Sequence, residues 1–446
     1  MTIDIDTLIN GLREKDPHQT YFHQAASGLL EGLAPFLRNQ PRYADPSLFA
    51  RLLEPERVII FRVPWVDDQG RVQVNRGFRV QMNGSLGPYK GGLRFHPSVN
   101  LDVLRFLALE QTIKNALTDL PLGSGKGGAD FDPHGRSDGE IMRFCQAFMA
   151  ELFDHIGSDV DVPAGDIGVG AREIGYLFGM YRKLNRSHDS GAITGKSPVF
   201  GGSLLRTEAT GYGLVYFLQY MLQEQQESLE GRRIAVSGAG NVARYAAEKA
   251  LAEGATVITL SDSRGALHAP NGLTQEHLET LDRIQEEGGR LHQLPEHHDG
   301  LTYESGIKPW RFPCDIALPC ATQNELDEQD ARVLVENGCR WVAEGANMPT
   351  TTEAIAHLVS HGVGYGPGKA ANAGGVAVSG LEMSQNSLRH PWSREEVDRR
   401  LHDIMSRIHH KCLEYGGQGK RPDYVQGASV AGFVRVAEAM LRQGVV

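Results

Sequence analysis

Gly238-Ala239-Gly240-Asn241-Val242-Ala243 is the run that decides the fold. It follows the apolar stretch Ile234-Ala235-Val236 and opens a segment, 241–253, with helical periodicity. A G-x-G-x-x-A run between strand and helix is the phosphate turn of a dinucleotide fold. Its first glycine permits the tight turn, its second lets the backbone approach a pyrophosphate at the helix N-terminus, and the small Ala243 lets strand and helix pack closely. Thr256-Val257-Ile258-Thr259-Leu260 reads as the next strand, and Asp262 beyond it stands 24 residues after Gly238, where an acidic residue meets the adenine ribose. Taken alone, Asp262 favours a free 2′-hydroxyl and hence NAD. Ser263 and Arg264, which follow at once, suit a 2′-phosphate and hence NADP, with Arg290 a further cation.

Outward from this turn, Ile316-Ala317-Leu318 and Trp341-Val342-Ala343 continue the alternation of short apolar runs with helices. That alternation predicts an α/β domain with a parallel sheet and right-handed crossovers. Upstream, the segment 185–203 is rich in Gly, Ser and Asn and reads as a linker, which places a domain boundary near residue 203. Before it, the first fifty residues are helical in pattern, with Leu29, Leu30, Leu33 and Phe36 at helical spacing. Val58-Ile59-Ile60-Phe61 and the alternating Val72, Val74, Phe78, Val80 and Met82 flank a turn at Asp67-Asp68-Gln69-Gly70 and predict a hairpin. Residues 101–118 return to helical spacing and are stopped by Pro121.

The 446 residues set an expectation of two or three domains, and 41% hydrophobic with 22% charged residues is ordinary globular usage. With 45 Lys and Arg against 55 Asp and Glu, the net charge of −10 argues against nucleic acid and anionic membranes as partners. The chain has no apolar run long enough to span a bilayer and no signal-peptide pattern at its start, so a soluble, cytoplasmic protein is expected. Its five cysteines form no C-x-x-C pair, and the adjacent histidines His297-His298 and His409-His410 have no ligand partners at usable spacing. No metal site is expected. The polar stretch 271–300 reads as a surface helix and loop.

The chemistry-bearing residues lie upstream. Lys90 stands in Gly87-Pro88-Tyr89-Lys90-Gly91-Gly92 and Lys126 in Gly123-Ser124-Gly125-Lys126-Gly127-Gly128, both read as glycine-rich loops. Asp166 lies in a third, Pro163-Ala164-Gly165-Asp166-Ile167-Gly168-Val169-Gly170, while Gln111 and Lys114 share one face of the 101–118 helix. A local lysine cluster in an acidic protein suits a small substrate carrying two carboxylates. Crowding of like charges lowers one lysine's pKa so that it serves as a base near neutral pH, with Asp166 shuttling protons. A phosphate-loop reading fails because Gly127 follows Lys126 where Ser or Thr is needed, and no G-x-S-x-G nucleophile elbow occurs.

Together these stretches, with Leu93-Arg94-Phe95-His96-Pro97, Phe200-Gly201-Gly202-Ser203, Ala343-Glu344-Gly345-Ala346-Asn347 and Ala370-Ala371-Asn372-Ala373-Gly374-Gly375-Val376, resemble the hexameric, small-subunit glutamate dehydrogenases of the NADP-dependent bacterial type over essentially the whole chain. The resemblance implies an N-terminal substrate and assembly domain, 1–202, joined by a C-terminal helix, 425–446, and a Rossmann-type dinucleotide domain, 203–424, with the active site in the cleft between them. It implies that Lys90 and Ser379 bind the substrate γ-carboxylate, that Gln111 and Lys114 hold the α-carboxylate, that Lys126 is catalytic, and that Asp166 handles protons at nitrogen. The Gly165 backbone and Asn372 side chain would line the same pocket, and Thr210, Asn241 and Asn347 would contact the cofactor. Glutamate, 2-oxoglutarate and ammonium are the implied substrates, NADP the cofactor with NAD disfavoured, and a homohexamer the assembly. Ser124 and Arg264 depart from the family pattern, which has Gly or Ala at the first and a small polar residue at the second. The rivals are a dehydrogenase for leucine, valine or phenylalanine, and a catalytically silent dinucleotide-binding sensor.

Overall fold

A computed structural model describes residues 5–417 and 421–446. The chain forms two units, Met1–Arg206 with Val376–Asp398 and Ser429–Val446, and Thr207–Gly375 with Arg399–Ala428. The first begins with helices α1 (Ile5–Lys15), α2 (Thr20–Arg38) and α3 (Pro46–Leu53), followed by the expected hairpin, β1 (Arg57–Val66) and β2 (Val72–Asn83). Then come β3 (Tyr89–Phe95), α4 (Leu101–Leu117), β4 (Ser124–Ala129), α5 (Asp138–Leu152), β5 (Asp161–Gly165) and α6 (Ala171–Leu184). The strands form one sheet in the order β1-β2-β4-β3-β5, in which β2 runs antiparallel to β1 and β4, and β3 runs parallel to β4 and β5.

Local chemistry sets these boundaries. Asn100 caps α4 by accepting from the Val103 amide at 3.0 Å, and α4 ends at Leu117, before Pro121, where the Thr118 hydroxyl donates to Asn115 O and Asp119 turns left-handed at φ 62°. Ser137 and Glu140 form a capping box that starts α5. One face of the sheet is sealed by aromatic packing: Phe131 stacks on Phe144 with ring centroids 3.7 Å apart, and Phe95 meets Phe144 edge-on at 5.1 Å. Burying each such side chain is worth about 1.5–3 kcal/mol.

The second unit opens with α7 (Ala209–Gln223), β6 (Arg233–Val236), α8 (Asn241–Ala252) and β7 (Thr256–Asp262), the predicted strand–turn–helix–strand. It continues through β8 (Gly265–His268), α9 (Gln275–Glu286), β9 (Thr302–Ser305), β10 (Ile316–Leu318), α10 (Glu328–Glu336), β11 (Trp341–Ala343), α11 (Thr352–Ser360), β12 (Gly364–Gly366) and α12 (Gly368–Ala371). The sheet order is β12-β11-β10-β6-β7-β8-β9; its first five strands are parallel, and β8 and β9 form an antiparallel edge that the alternation did not signal. Helices α13 (Gly374–Leu388), α14 (Arg394–Gly416) and α15 (Tyr424–Gln443) complete the chain. The five cysteines are all buried, and burial pushes the Cys412 thiol up to about 12. Among the described residues no helix is long and apolar enough to cross a membrane.

Candidate active site

Lys90, Lys126 and Asp166 come together because β3, β4 and β5 lie side by side. Lys90 pairs in register with Val162 of β5, Lys126 lies on β4, and Asp166 follows directly on β5. This corrects the loop reading of the glycine runs, since Lys90 and Lys126 stand on strands. The glycines answer to strand packing rather than to a turn: a Cβ on Gly91 would collide with Gly125 O, one on Gly125 would lie 2.9 Å from Val80 O, and one on Gly127 would lie 2.8 Å from Phe78 O. Gly92 serves the site itself, because its Cβ would fall 2.9 Å from Asp166 Cβ and 3.3 Å from Lys126 Nζ.

Lys126 Nζ lies 3.2 Å from Asp166 Oδ2, and Arg94 Nε donates to the same oxygen at 2.8 Å. Burial lowers the Lys126 ammonium below the ordinary lysine range, with Asp166 opposing and Arg94 reinforcing the shift. For Asp166, burial alone would raise the carboxyl, but the Lys126 and Arg94 charges hold it down to about 2. Under this couple lies a fully buried pair in which Arg79 Nε donates to Asp161 Oδ2 at 2.8 Å and Arg79 Nη1 to Gly91 O at 3.1 Å.

Lys90 is buried, and that burial, with the Arg206 and Arg79 charges, holds its ammonium well below the ordinary lysine range. Arg206 was not singled out from the sequence. Its Nε donates to Ser379 Oγ at 3.0 Å, so Ser379, on α13, joins the first unit's cluster beside a second cation. Glu382, one turn further along α13, pairs with Lys196 at 2.6 Å with both side chains buried, and its charge opposes the depression of Lys90 and Arg206. The Thr194 hydroxyl is buried without a protein partner among the described residues. Arg206 and Glu382 stand in no glycine-rich stretch, the signal that found Lys90 and Lys126, and Thr194 and Lys196, although beside Gly195, lie in the 185–203 segment that reads as a linker. Gln111 lies against Gly91, its Cγ 3.6 Å from where a Cβ would sit, and donates to Asn115 Oδ1 at 2.6 Å; Lys114 stands one turn further along α4.

Gly165 ends β5, and the remaining sequence candidates lie in the second unit. Gly238 adopts φ 87°, which favours glycine, and Gly240 precedes α8 with open space where its Cβ would project. Asn241 opens α8, and Thr210 lies on α7 beside Gly211, whose missing side chain lets α7 approach the α8 backbone. Asp262 ends β7, and its Oδ1 accepts from Arg264 N at 2.9 Å, Gly265 N at 3.2 Å and Tyr303 OH at 2.7 Å, so that oxygen shapes the β7–β8 turn bearing the exposed Ser263 and Arg264. Asn372 Nδ2 donates to Ala346 O at 2.8 Å and Asn347 Oδ1 at 3.1 Å, while Asn372 Oδ1 is buried with no donor among the described residues. An open helix N-terminus and a cation at the second strand's end fit a phosphorylated dinucleotide.

This is the equipment of a nicotinamide-dependent oxidoreductase acting on an anionic amino acid. The chain belongs to the glutamate/leucine/phenylalanine/valine dehydrogenase family, whose model matches residues 201–444, with the family's dimerisation domain matching 55–183. It is 59% identical over 446 residues to an NADP-specific glutamate dehydrogenase of Salmonella typhimurium, covering 100% of this chain and 99% of that protein. It is 56% identical to that of Escherichia coli, with the same shares covered. A crystal structure of Plasmodium falciparum glutamate dehydrogenase matches with a TM-score of 0.97 at 50% identity, covering 99% of this chain and 95% of that one.

Proposed function

We propose that this protein catalyses L-glutamate + water + NADP⁺ ⇌ 2-oxoglutarate + ammonium + NADPH + H⁺. The observation that carries this reading is a buried Lys90 within the field of Arg206, which donates to Ser379, in the same unit as the Lys126–Asp166 couple. Two cations and a hydroxyl suit a distal carboxylate, which leucine, valine or phenylalanine lacks. An apolar side chain would leave Lys90 buried and unpaired, forfeiting a charge-assisted contact worth about 1.5–3 kcal/mol. Full-length likeness to NADP-specific glutamate dehydrogenases supports the same substrate and cofactor.

In our assignment Lys90, Arg206 and Ser379 hold the γ-carboxylate, and Gln111 and Lys114 the α-carboxylate, with the Gly165 backbone and Asn372 lining the pocket. NADP, when bound, supplies the hydride acceptor for Cα. Gly238, Gly240 and Asn241 receive its pyrophosphate, Ser263 and Arg264 its 2′-phosphate, and Thr210 and Asn347 its nicotinamide half, while Asp262 sets the turn that presents Arg264. Lys126 in its neutral form takes a proton from the water that attacks the substrate iminium carbon. Asp166 then carries protons to and from the nitrogen of the carbinolamine, so that ammonia leaves and the ketone forms. The match to the family's dimerisation domain supports an oligomer, and we assign a homohexamer.

The test follows NADPH absorbance with purified protein, ammonium and a 2-oxo acid. Rapid oxidation of NADPH with 2-oxoglutarate, and little with 2-oxoisocaproate or with NADH, is the expected result. Turnover with 2-oxoisocaproate equal to that with 2-oxoglutarate, or none with any acid, would overturn the reading.

A further inference from the structure

Two cations converge on one oxygen of Asp166, and only one of them, Lys126, has a place in the chemistry above. The other is Arg94, on β3, whose side chain is 14% exposed and whose Nε points at Asp166 Oδ2 from 2.8 Å. The backbone around it is closely packed. Arg94 pairs in register with Gly128, which sits at φ 151°, and a Cβ there would collide with Arg94 O. Gly92, two residues earlier, leaves the room in which Asp166 and Lys126 meet.

We propose that Arg94 is a positioning residue for both proton carriers: by occupying Asp166 Oδ2 it turns Oδ1 towards the reacting nitrogen and keeps Lys126 from being captured in a closed lysine–carboxylate pair. This rests on the glutamate dehydrogenase reading. Without a second cation, Asp166 and Lys126 at 3.2 Å in a buried site would each stabilise the other's charge, and Lys126 would hold its proton to high pH. Arg94 weakens that mutual lock. It spreads the carboxylate's charge over two donors and adds a fixed positive charge that opposes protonation of Lys126, in keeping with its part in lowering that amine. A guanidinium suits this role because it cannot give up its own proton, so it takes no part in the transfer while its planar Nε–H holds Oδ2 from a fixed direction. Among the described residues no protein donor lies on Asp166 Oδ1, which leaves that oxygen to the substrate.

The test compares wild type, Arg94→Gln and Arg94→Lys by steady-state deamination across pH, and by trace acetylation of Lys126 with acetic anhydride read by peptide mass spectrometry. In Arg94→Gln we expect kcat to fall about 10²-fold, as for loss of a correctly set acid–base group, with KM for glutamate and NADP within about threefold. The rising limb of kcat/KM and the midpoint of Lys126 acetylation should both move to higher pH. Arg94→Lys restores a charge without the planar Nε–H, so the pH midpoints should return towards wild type while kcat recovers only in part. Unchanged kcat and midpoints in Arg94→Gln would overturn the proposal, and so would a loss confined to KM. The acetylation midpoint needs no turnover, so it reads Arg94 even if the wild type proves inactive on glutamate, a result that would strike the functional reading alone. Thermal midpoints of the variants show whether they fold; if Arg94→Gln does not, the kcat and acetylation profile of Arg94→Lys carries the decision.

Discussion

Gly91 in the first unit and Gly240 in the second both stand in glycine-rich runs beside functional residues, and they are glycine for opposite reasons. At Gly91 the missing side chain is replaced by protein: the Gly125 carbonyl fills the space, and the strands bearing Lys90 and Lys126 close up. At Gly240 nothing occupies that space, which lies at the start of α8. One glycine lets two strands close up, and the other borders open space, which the proposed function gives to the cofactor. The strands bearing Lys90 and Lys126 are thus fixed by internal packing, while the turn before α8 is not.

The sharpest attack on the packed region is Lys126→Ala. It removes the base without altering the strands, so kcat should fall by about 10³-fold or more while the thermal midpoint holds; a variant retaining a tenth of wild-type kcat would deny Lys126 its role. Gly91→Ala should cost about 3 kcal/mol of stability, seen as a lowered urea midpoint, because backbone rather than a flexible side chain stands in the way. Lys90→Leu should weaken the preference for glutamate over norvaline by roughly 10–150-fold, the equivalent of one charge-assisted contact, measured as the ratio of kcat/KM values. On the open side, Gly240→Ala should leave stability within about 1 kcal/mol yet raise the KM for NADPH about tenfold, since in the proposed placement of the cofactor a methyl would intrude on the pyrophosphate. If instead Gly240→Ala unfolds the protein and Gly91→Ala does not, the contrast is wrong. The smallest effect is expected of Tyr303→Phe. It frees one of the bonds that hold Asp262 in the β7–β8 turn and should lower the preference for NADPH over NADH about threefold, by relative kcat/KM.

The same contrast explains what could be read in advance. The turn at 238–243 was legible because Gly238 serves a local conformation, at φ 87°, and local conformation leaves a local signature: strand, glycine, glycine, helix. The runs around Lys90 and Lys126 were misread as loops because their glycines answer to neighbours distant in sequence. Gly125 meets Val80 across β2, and Gly91 meets Gly125 across β3 and β4, contacts that exist only once the sheet has formed. Arg206, Thr194, Lys196 and Glu382 escaped notice for a related reason. Arg206 reaches Ser379 and Lys196 reaches Glu382 over nearly two hundred residues of chain; no periodicity marks either pair, and the glycine beside Lys196 sits in a stretch that reads as a linker. The antiparallel edge made by β8 and β9 is likewise too short for periodicity to declare.

The burial of all five cysteines has a practical side. A bulky, charged thiol reagent finds no ready target on the folded chain, so the uptake of label becomes a clock for opening motions: each modified cysteine counts an excursion from the native state. Cys145 belongs to the first unit, and Cys314, Cys320, Cys339 and Cys412 to the second, so peptide mapping of the label would time the loosening of each half separately, without introducing a probe. A single cysteine placed at the exposed Val199 would by the same logic be the one fast-reacting thiol in the molecule, ready to carry a dye or a tether.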